Sequence, residues 1–193
     1  MVKFNIPINY SILDTEYTAW KGSRERNWSN KNEYREVIEI GMIHINNFKE
    51  QNLLSLLVLP KINPILSRYI QNLTGIDNKL LKKEGIGFSQ ALDRLYDFSC
   101  QNANVIFTYG DDDEVIKENI NLNNLNFNIT KLNFINIRLW IESQLNIKKN
   151  TIDSSELNTF LGIKSTLKHR AINDCRNILN AIKFIQSKKE TNN

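Results

Sequence analysis

Cysteine, proline, glycine and histidine are all scarce in this chain, and no long apolar run interrupts it. The two cysteines, Cys100 and Cys175, stand far apart and without a Cys-x-x-Cys spacing, which argues against a disulfide framework and a thiolate zinc site. Both are expected to be buried thiols. Three prolines and seven glycines among 193 residues leave little material for a disordered linker. No stretch approaches the ~20 apolar residues that a bilayer-spanning helix needs. The segment from Met1 to Ile6 also lacks the apolar centre and small-residue cleavage site of a secretory signal, so no membrane association and a cytoplasmic location are expected. The only histidines are His44 and His169, which rules out a multi-histidine metal cluster.

Apolar and aromatic side chains are plentiful instead. Hydrophobic residues make up 41% of the chain, with nine Phe, six Tyr and three Trp, enough to build the core of a single domain over residues 1–193. A net charge of +4 and a pI near 9.0 favour a polyanionic partner without specifying one.

The most informative segment is Ser11-Ile-Leu-Asp-Thr-Glu-Tyr-Thr18, a strand-like run holding two carboxylates. Side chains two apart on a strand share a face, so Asp14 and Glu16 lie side by side among residues that shun charge. Two like charges in such a place either force one to take up a proton or hold a cation between them, and a hard divalent metal suits the second solution. Further strand patterns follow at Val37 to Ile45, Leu53 to Leu59, Asn104 to Tyr109 and Lys131 to Ile137. The first three read as a meander. His44 falls inside an alternating strand and is read as structural. Helical patterns run from Pro64, taken as the first helical position, to Gly75; then from Phe88; after Gly110; around Leu139 to Glu142; and over Ser154 to Gly162. A last helix carries Ala171, Cys175, Ile178, Ile182 and Ile185 as an apolar stripe, and the end from Lys188 to Asn193 is expected to be a solvated tail.

Two further features carry chemistry. Asp111, Asp112 and Asp113 stand between a strand and a helix, where acids favour the helix N-terminus and where one of them would complete a metal site with Asp14 and Glu16. His169 lies five residues before Asp174, too far round a helix to share its face. It therefore belongs to the segment entering the last helix, where an imidazole beside a fixed carboxylate suits a general base over a metal site.

In order along the chain, Asp14-Thr-Glu-Tyr-Thr18, Tyr109-Gly-Asp-Asp-Asp-Glu-Val-Ile116 and His169-Arg-Ala-Ile-Asn-Asp-Cys175 resemble the three motifs of the DEDDh 3′-to-5′ exonucleases. The segments 16–20 and 34–41 resemble the first two strands of the exoribonuclease-like branch. The resemblance spans roughly residues 8 to 186. It implies an α/β ribonuclease H-like fold, with a central mixed five-stranded sheet flanked by helices. It also implies that Asp14, Glu16, Asp112 and Asp174 hold two divalent ions, Mg²⁺ or Mn²⁺, and that His169 activates the attacking water. Within the acidic triplet, the family spacing to Val115 and Ile116 selects Asp112, with Asp113 as the alternative. Thr15, Tyr17 and Trp20 are expected to meet the substrate. Trp28, Lys21, Arg24 and Arg26 add stacking and phosphate-pairing side chains, although aromatics after a strand serve packing more often. The expected partner is a single-stranded RNA or DNA 3′ end, cut to nucleoside 5′-monophosphates with RNA slightly favoured. A proofreading-type DNA exonuclease and a non-catalytic binding or regulatory module of the same fold are the alternatives, and a homo-oligomer is left open.

Overall fold

The computed structural model describes residues 4–164 and 169–191. Its sheet has the strand order β4-β3-β2-β1-β5-β6, made of β1 (Asn9–Tyr17), β2 (Val37–Asn46), β3 (Lys49–Leu59), β4 (Ile86–Gly87), β5 (Val105–Thr108) and β6 (Asn133–Asn136). The first three strands form the expected antiparallel meander. β5 then pairs with β1 in parallel, and β6 with β5, giving a mixed sheet. The five strands expected from the sequence are present, and the sixth, β4, is a two-residue edge beside Val58 and Leu59.

The helices are α1 (Arg68–Thr74), α2 (Asn78–Glu84), α3 (Phe88–Asn102), α4 (Asp112–Leu122), α5 (Arg138–Leu145), α6 (Leu157–Phe160) and α7 (Ala171–Thr191). They cover both faces of the sheet because β1 and β2 are apolar on both sides. One face carries Tyr10, Ile12, Ile43 and Ile45, buried against the α7 residues Cys175, Ile178, Ile182 and Ile185. The other carries Leu13, Ile40 and Met42, against Phe88, Leu92 and Leu95 of α3 and Val115 and Ile116 of α4. Each fully buried Ile or Leu contributes about 1.5–3 kcal/mol relative to exposure.

Gly41 decides how close α7 comes. It sits on β2 opposite Asp14, and a Cβ there would lie 2.5 Å from the Ala171 carbonyl carbon and the Ile172 nitrogen. The first turn of α7 therefore rests on bare backbone.

Several expectations need correction. Pro64 is not the first helical residue: Ser67 caps α1, its hydroxyl accepting from the Ile70 N–H, while Gly75 ends the helix at φ +72° as expected. Helix α2 was missed. Cys100 is exposed on α3, and only Cys175 is buried, its thiol donating to the carbonyls of Ile12 and Gly41. The expected solvated end is helical: Lys188 and Lys189 are exposed but belong to α7, with Lys189 Nζ lying 5.5 Å from the Trp140 ring centroid. Asn192 and Asn193, the end of that expected tail, lie outside the described residues. No helix among the described residues is long and apolar enough to cross a membrane.

Candidate active site

Strands β1 and β5 run side by side only at Ser11–Ile106 and Ile12–Phe107, after which β1 continues to Tyr17 while β5 stops at Thr108. The divergence opens a cleft of about 840 Å³ at the carboxyl end of β5, lined by Asp14, Thr15, Glu16, Asp112, His169 and Asp174 together with aromatic and basic side chains. Ligands of open α/β sheets commonly bind at this kind of position.

Three elements bring four carboxylates to it. Asp14 and Glu16 project from the α7 side of β1, in register with Gly41 and Glu39 of β2. Thr15 faces the other way, and both its N–H and its hydroxyl donate to Asp112 Oδ1, at 2.9 and 2.8 Å. Asp112 is thereby tied from the N-terminus of α4 to the middle of β1. Asp174 enters from the first turn of α7, where it accepts from Asn177 Nδ2 at 3.1 Å, and Asp14 accepts from the Ser154 hydroxyl at 3.2 Å. All four acids are buried. Among the described residues none forms an ion pair.

The electrostatic consequence is uniform. Burial, and then the charges of Asp112, Asp174 and Glu16, hold Asp14 well above the usual carboxylate range. Burial, and then Asp174 and Glu39, do the same to Glu16. Asp112 is pushed up to about 6, chiefly by burial and against the two hydrogen bonds from Thr15. Asp174 reaches about 7, again chiefly by burial, followed by Glu39 and Asp112. Positive charge brought into the cleft would offset this mutual repulsion.

The donor set fits a hard divalent ion: it is built from carboxylate oxygens, with no thiolate in it. Glu16, His169 and Asp174 each offer a ligand atom within 4.8 Å of the others, so the imidazole reaches the carboxylates although it stands outside the helix. His169 has φ +56°, a left-handed conformation that a non-glycine residue seldom adopts and that His tolerates better than most.

The acidic triplet divides. Asp111 and Asp112 line the cleft, and Asp113 does not. The aromatic and basic residues divide too. Tyr17, Trp20, Arg24 and Trp28 line the cleft, whereas Lys21 and Arg26 do not, and Arg26 is held by Glu33 and by the Lys21 carbonyl. Trp28 donates its Nε1–H to the Thr18 carbonyl and packs edge-on against Tyr17, with the Arg35 guanidinium over both rings. These contacts give Tyr17 and Trp28 a packing role in addition to their place on the wall. His44 lies on β2, away from the cleft, as its structural reading requires.

Sequence reasoning missed Glu39, Arg138, Asp153 and Ser154. Arg138 lies over the Tyr109 ring at 5.1 Å and pairs with the buried Glu142 at 2.9 Å, while Asp153 accepts from Arg24 at 2.8 Å. Nothing local marks Ser154, which meets Asp14 only through the fold. Glu39 did carry a signal, since an acid within an otherwise apolar strand is as anomalous as Glu16 itself.

The exonuclease family model, RNase T, matches residues 11–182. The nuclease domain of 3′hExo, a DEDDh family member solved bound to rAMP, superposes with a TM-score of 0.78 at 20% identity, over 94% of this chain and 92% of that one. Cell-death related nuclease 4 (CRN-4) gives 0.73 at 16%, over 94% and 64%. The zinc-bound E. coli ExoI–ssDNA complex gives 0.69 at 12%, over 96% and 42%. At such identities the likeness is one of fold. No curated protein matches the chain in sequence. Fold and family match together define an enzyme that hydrolyses phosphodiesters from a chain end. The chain belongs to the RNase T exonuclease family and is by class an exonuclease.

Proposed function

We propose that this chain, as a single domain over residues 1–193, removes nucleotides from the 3′ ends of single-stranded nucleic acid by metal-dependent hydrolysis, favouring RNA and releasing nucleoside 5′-monophosphates. The observation that carries the reading is the convergence on one cleft of four buried acids that form no ion pair with a lysine or arginine among the described residues, with an imidazole beside two of them. A structure folded for stability alone would not leave such a cluster unpaired, because each buried charge without a partner opposes folding.

Asp14, Glu16, Asp112 and Asp174 would hold two divalent ions, Mg²⁺ or Mn²⁺, which when bound neutralise the scissile phosphate and support the entering and departing oxygens. His169 accepts the proton of the attacking water, its place beside Glu16 and Asp174 setting the imidazole at the candidate metal site. Thr15 orients Asp112 through its two donors. Tyr17 and Trp20, on the cleft wall, meet the terminal bases by aromatic contact, a sequence-tolerant mode of holding a single strand, and Arg24 stands at the rim paired with Asp153. The preference for RNA is supported by the exoribonuclease-like pattern of the first two strands. Recognition of a histone mRNA stem-loop by a 3′-exonuclease of this fold, which superposes at a TM-score of 0.78, agrees with it.

The test is incubation of the purified chain with 5′-labelled single-stranded RNA and matched DNA, in Mg²⁺, in Mn²⁺ and in EDTA. The expected result is a ladder that shortens from the 3′ end with metal and stays intact in EDTA, with RNA consumed faster. No degradation of either strand with any metal would overturn the reading in favour of a binding module.

A further inference from the structure

Glu39 is 1% exposed, and it is bound from two sides by consecutive residues of the segment that carries His169. Arg170 Nε donates to its two carboxylate oxygens at 3.0 and 3.1 Å, and Arg170 Nη2 donates to Oε1 at 2.7 Å. The Ala171 N–H, at the start of α7, donates to Oε2 at 2.9 Å. A carboxylate at a helix N-terminus is favoured by the helix dipole, and a forked guanidinium–carboxylate pair fixes orientation as well as distance. Glu39 is also the direct antiparallel partner of Glu16, on the same face of the sheet.

We infer that the Glu39–Arg170 pair is a positioning device for His169. The inference rests on the exonuclease reading and assigns the pair no contact with substrate. One carboxylate joins the strand beside Glu16 to the two residues after His169, so the imidazole is referred to the same strand pair that carries the candidate metal ligands. His169 itself sits at φ +56°, a backbone conformation that is disfavoured for a side-chain-bearing residue and persists only where the surroundings impose it. Glu39 supplies that constraint on the C-terminal side: with Arg170 and Ala171 pinned, the turn at His169 is held. Releasing Arg170 would let the turn relax toward ordinary φ and carry the imidazole away from Glu16 and Asp174. The loss would then fall on proton transfer rather than on binding of the strand.

The experiment is a double-mutant cycle on the full chain, using a 5′-labelled oligonucleotide in Mn²⁺. Glu39→Gln is measured alone and in a His169→Ala background, with kcat and KM resolved and folding followed by circular dichroism. Glu39→Gln should lower kcat by about 10- to 100-fold with KM changed less than about threefold, since a displaced general base forfeits part of its ~10²–10⁴-fold contribution. In the His169→Ala background the same substitution should change kcat by less than about threefold, because no imidazole remains to be misplaced. An equal fall in both backgrounds, or a fall confined to KM, overturns the positioning role. If Glu39→Gln does not fold, Arg170→Lys carries the same cycle, keeping the Glu39 cap on Ala171 while removing the fork. Full activity of His169→Ala alone overturns the general-base reading and the positioning role with it. An inactive unsubstituted chain overturns the functional reading as a whole.

Discussion

Seven acidic side chains are buried among the described residues, and they fall into two groups that the fold treats differently. Glu36, Glu39 and Glu142 are each matched. Glu36 accepts from the N–H groups of Lys61, Ile62 and Asn63 at 2.6 Å each, Glu39 from Arg170 and Ala171, and Glu142 from Arg138 and the Asn150 N–H. The other four are those of the cleft: Asp14, Asp112 and Asp174 accept from the neutral donors Ser154, Thr15 and Asn177, and neither they nor Glu16 form an ion pair with a lysine or arginine among the described residues. The same chain thus shows that it can neutralise a buried acid with an arginine or a ring of amides, and in the cleft it does not. Charge that folding needs is satisfied within the protein. Charge that stays unsatisfied is left for something that arrives.

The difference can be broken most sharply by truncation. Asp14→Ala, Glu16→Ala and Asp174→Ala should each lower exonuclease activity by about 10³-fold or more while leaving metal-free stability unchanged or higher. Glu36→Ala should instead destabilise by about 3 kcal/mol, because three backbone donors lose their acceptor. Equal destabilisation in both groups, measured by denaturant unfolding in EDTA, would erase the distinction. Next, Asp112→Ala should match the other ligand variants, whereas Asp113→Ala, whose side chain does not line the cleft, should keep activity within about threefold. If only Asp113→Ala is inactive, the triplet is misassigned by one position.

A third test uses protons. Asp112 and Asp174 titrate near 6 and 7 in the folded chain against a free-aspartate value of 3.8, so the folded state binds protons more tightly than the unfolded one. Their contribution to stability is therefore fully present below about pH 4 and is lost as pH rises through 6 and 7, each acid losing about 1.4 kcal/mol per pH unit between its unfolded and folded values. Thermal unfolding in EDTA should show a decline across that window, and millimolar Mg²⁺ or Mn²⁺ should flatten it. A metal-free profile that rises over the same window would contradict the clustering of unpaired acids. Among the substitutions at cleft-lining residues, the smallest effect is expected from Thr15→Val, which removes one of the two donors to Asp112 and keeps the backbone N–H. It should reduce activity by about tenfold or less, as one hydrogen bond is worth roughly 0.5–1.5 kcal/mol.

Much of this was legible in the residues because the relevant signals are local. β1, β2 and α7 announce themselves by long apolar patterns, and Asp14 and Glu16 by interrupting one. The pieces that escaped depend on tertiary partners. Helix α2 and strand β4 are seven and two residues long, too short for periodicity to register. Pro64 misled because it was a plausible helix start, while Ser67, three residues on, supplies the cap. Cys100 was expected inside from its residue type, yet its place on α3 turns it to solvent. Ser154 and Arg138 reach the cleft only once the short turn at 154–156 and α5 have packed against α7, and Glu39 shows its meaning only when the register sets it opposite Glu16.

Gly41 bears on how the cleft keeps its dimensions. Where most helices rest on a sheet through interlocking side chains, whose sizes drift with every substitution in the core, the first turn of α7 abuts β2 backbone to backbone. The missing methyl works as a gauge block between β2, paired to the strand bearing Asp14, and the helix bearing Asp174. Exchanges among Ile178, Ile182 or Ile185 farther down α7 can therefore be absorbed along its length while the spacing at its head stays set. The chemistry is insulated from wear in the core by a contact made of backbone and a single alanine methyl.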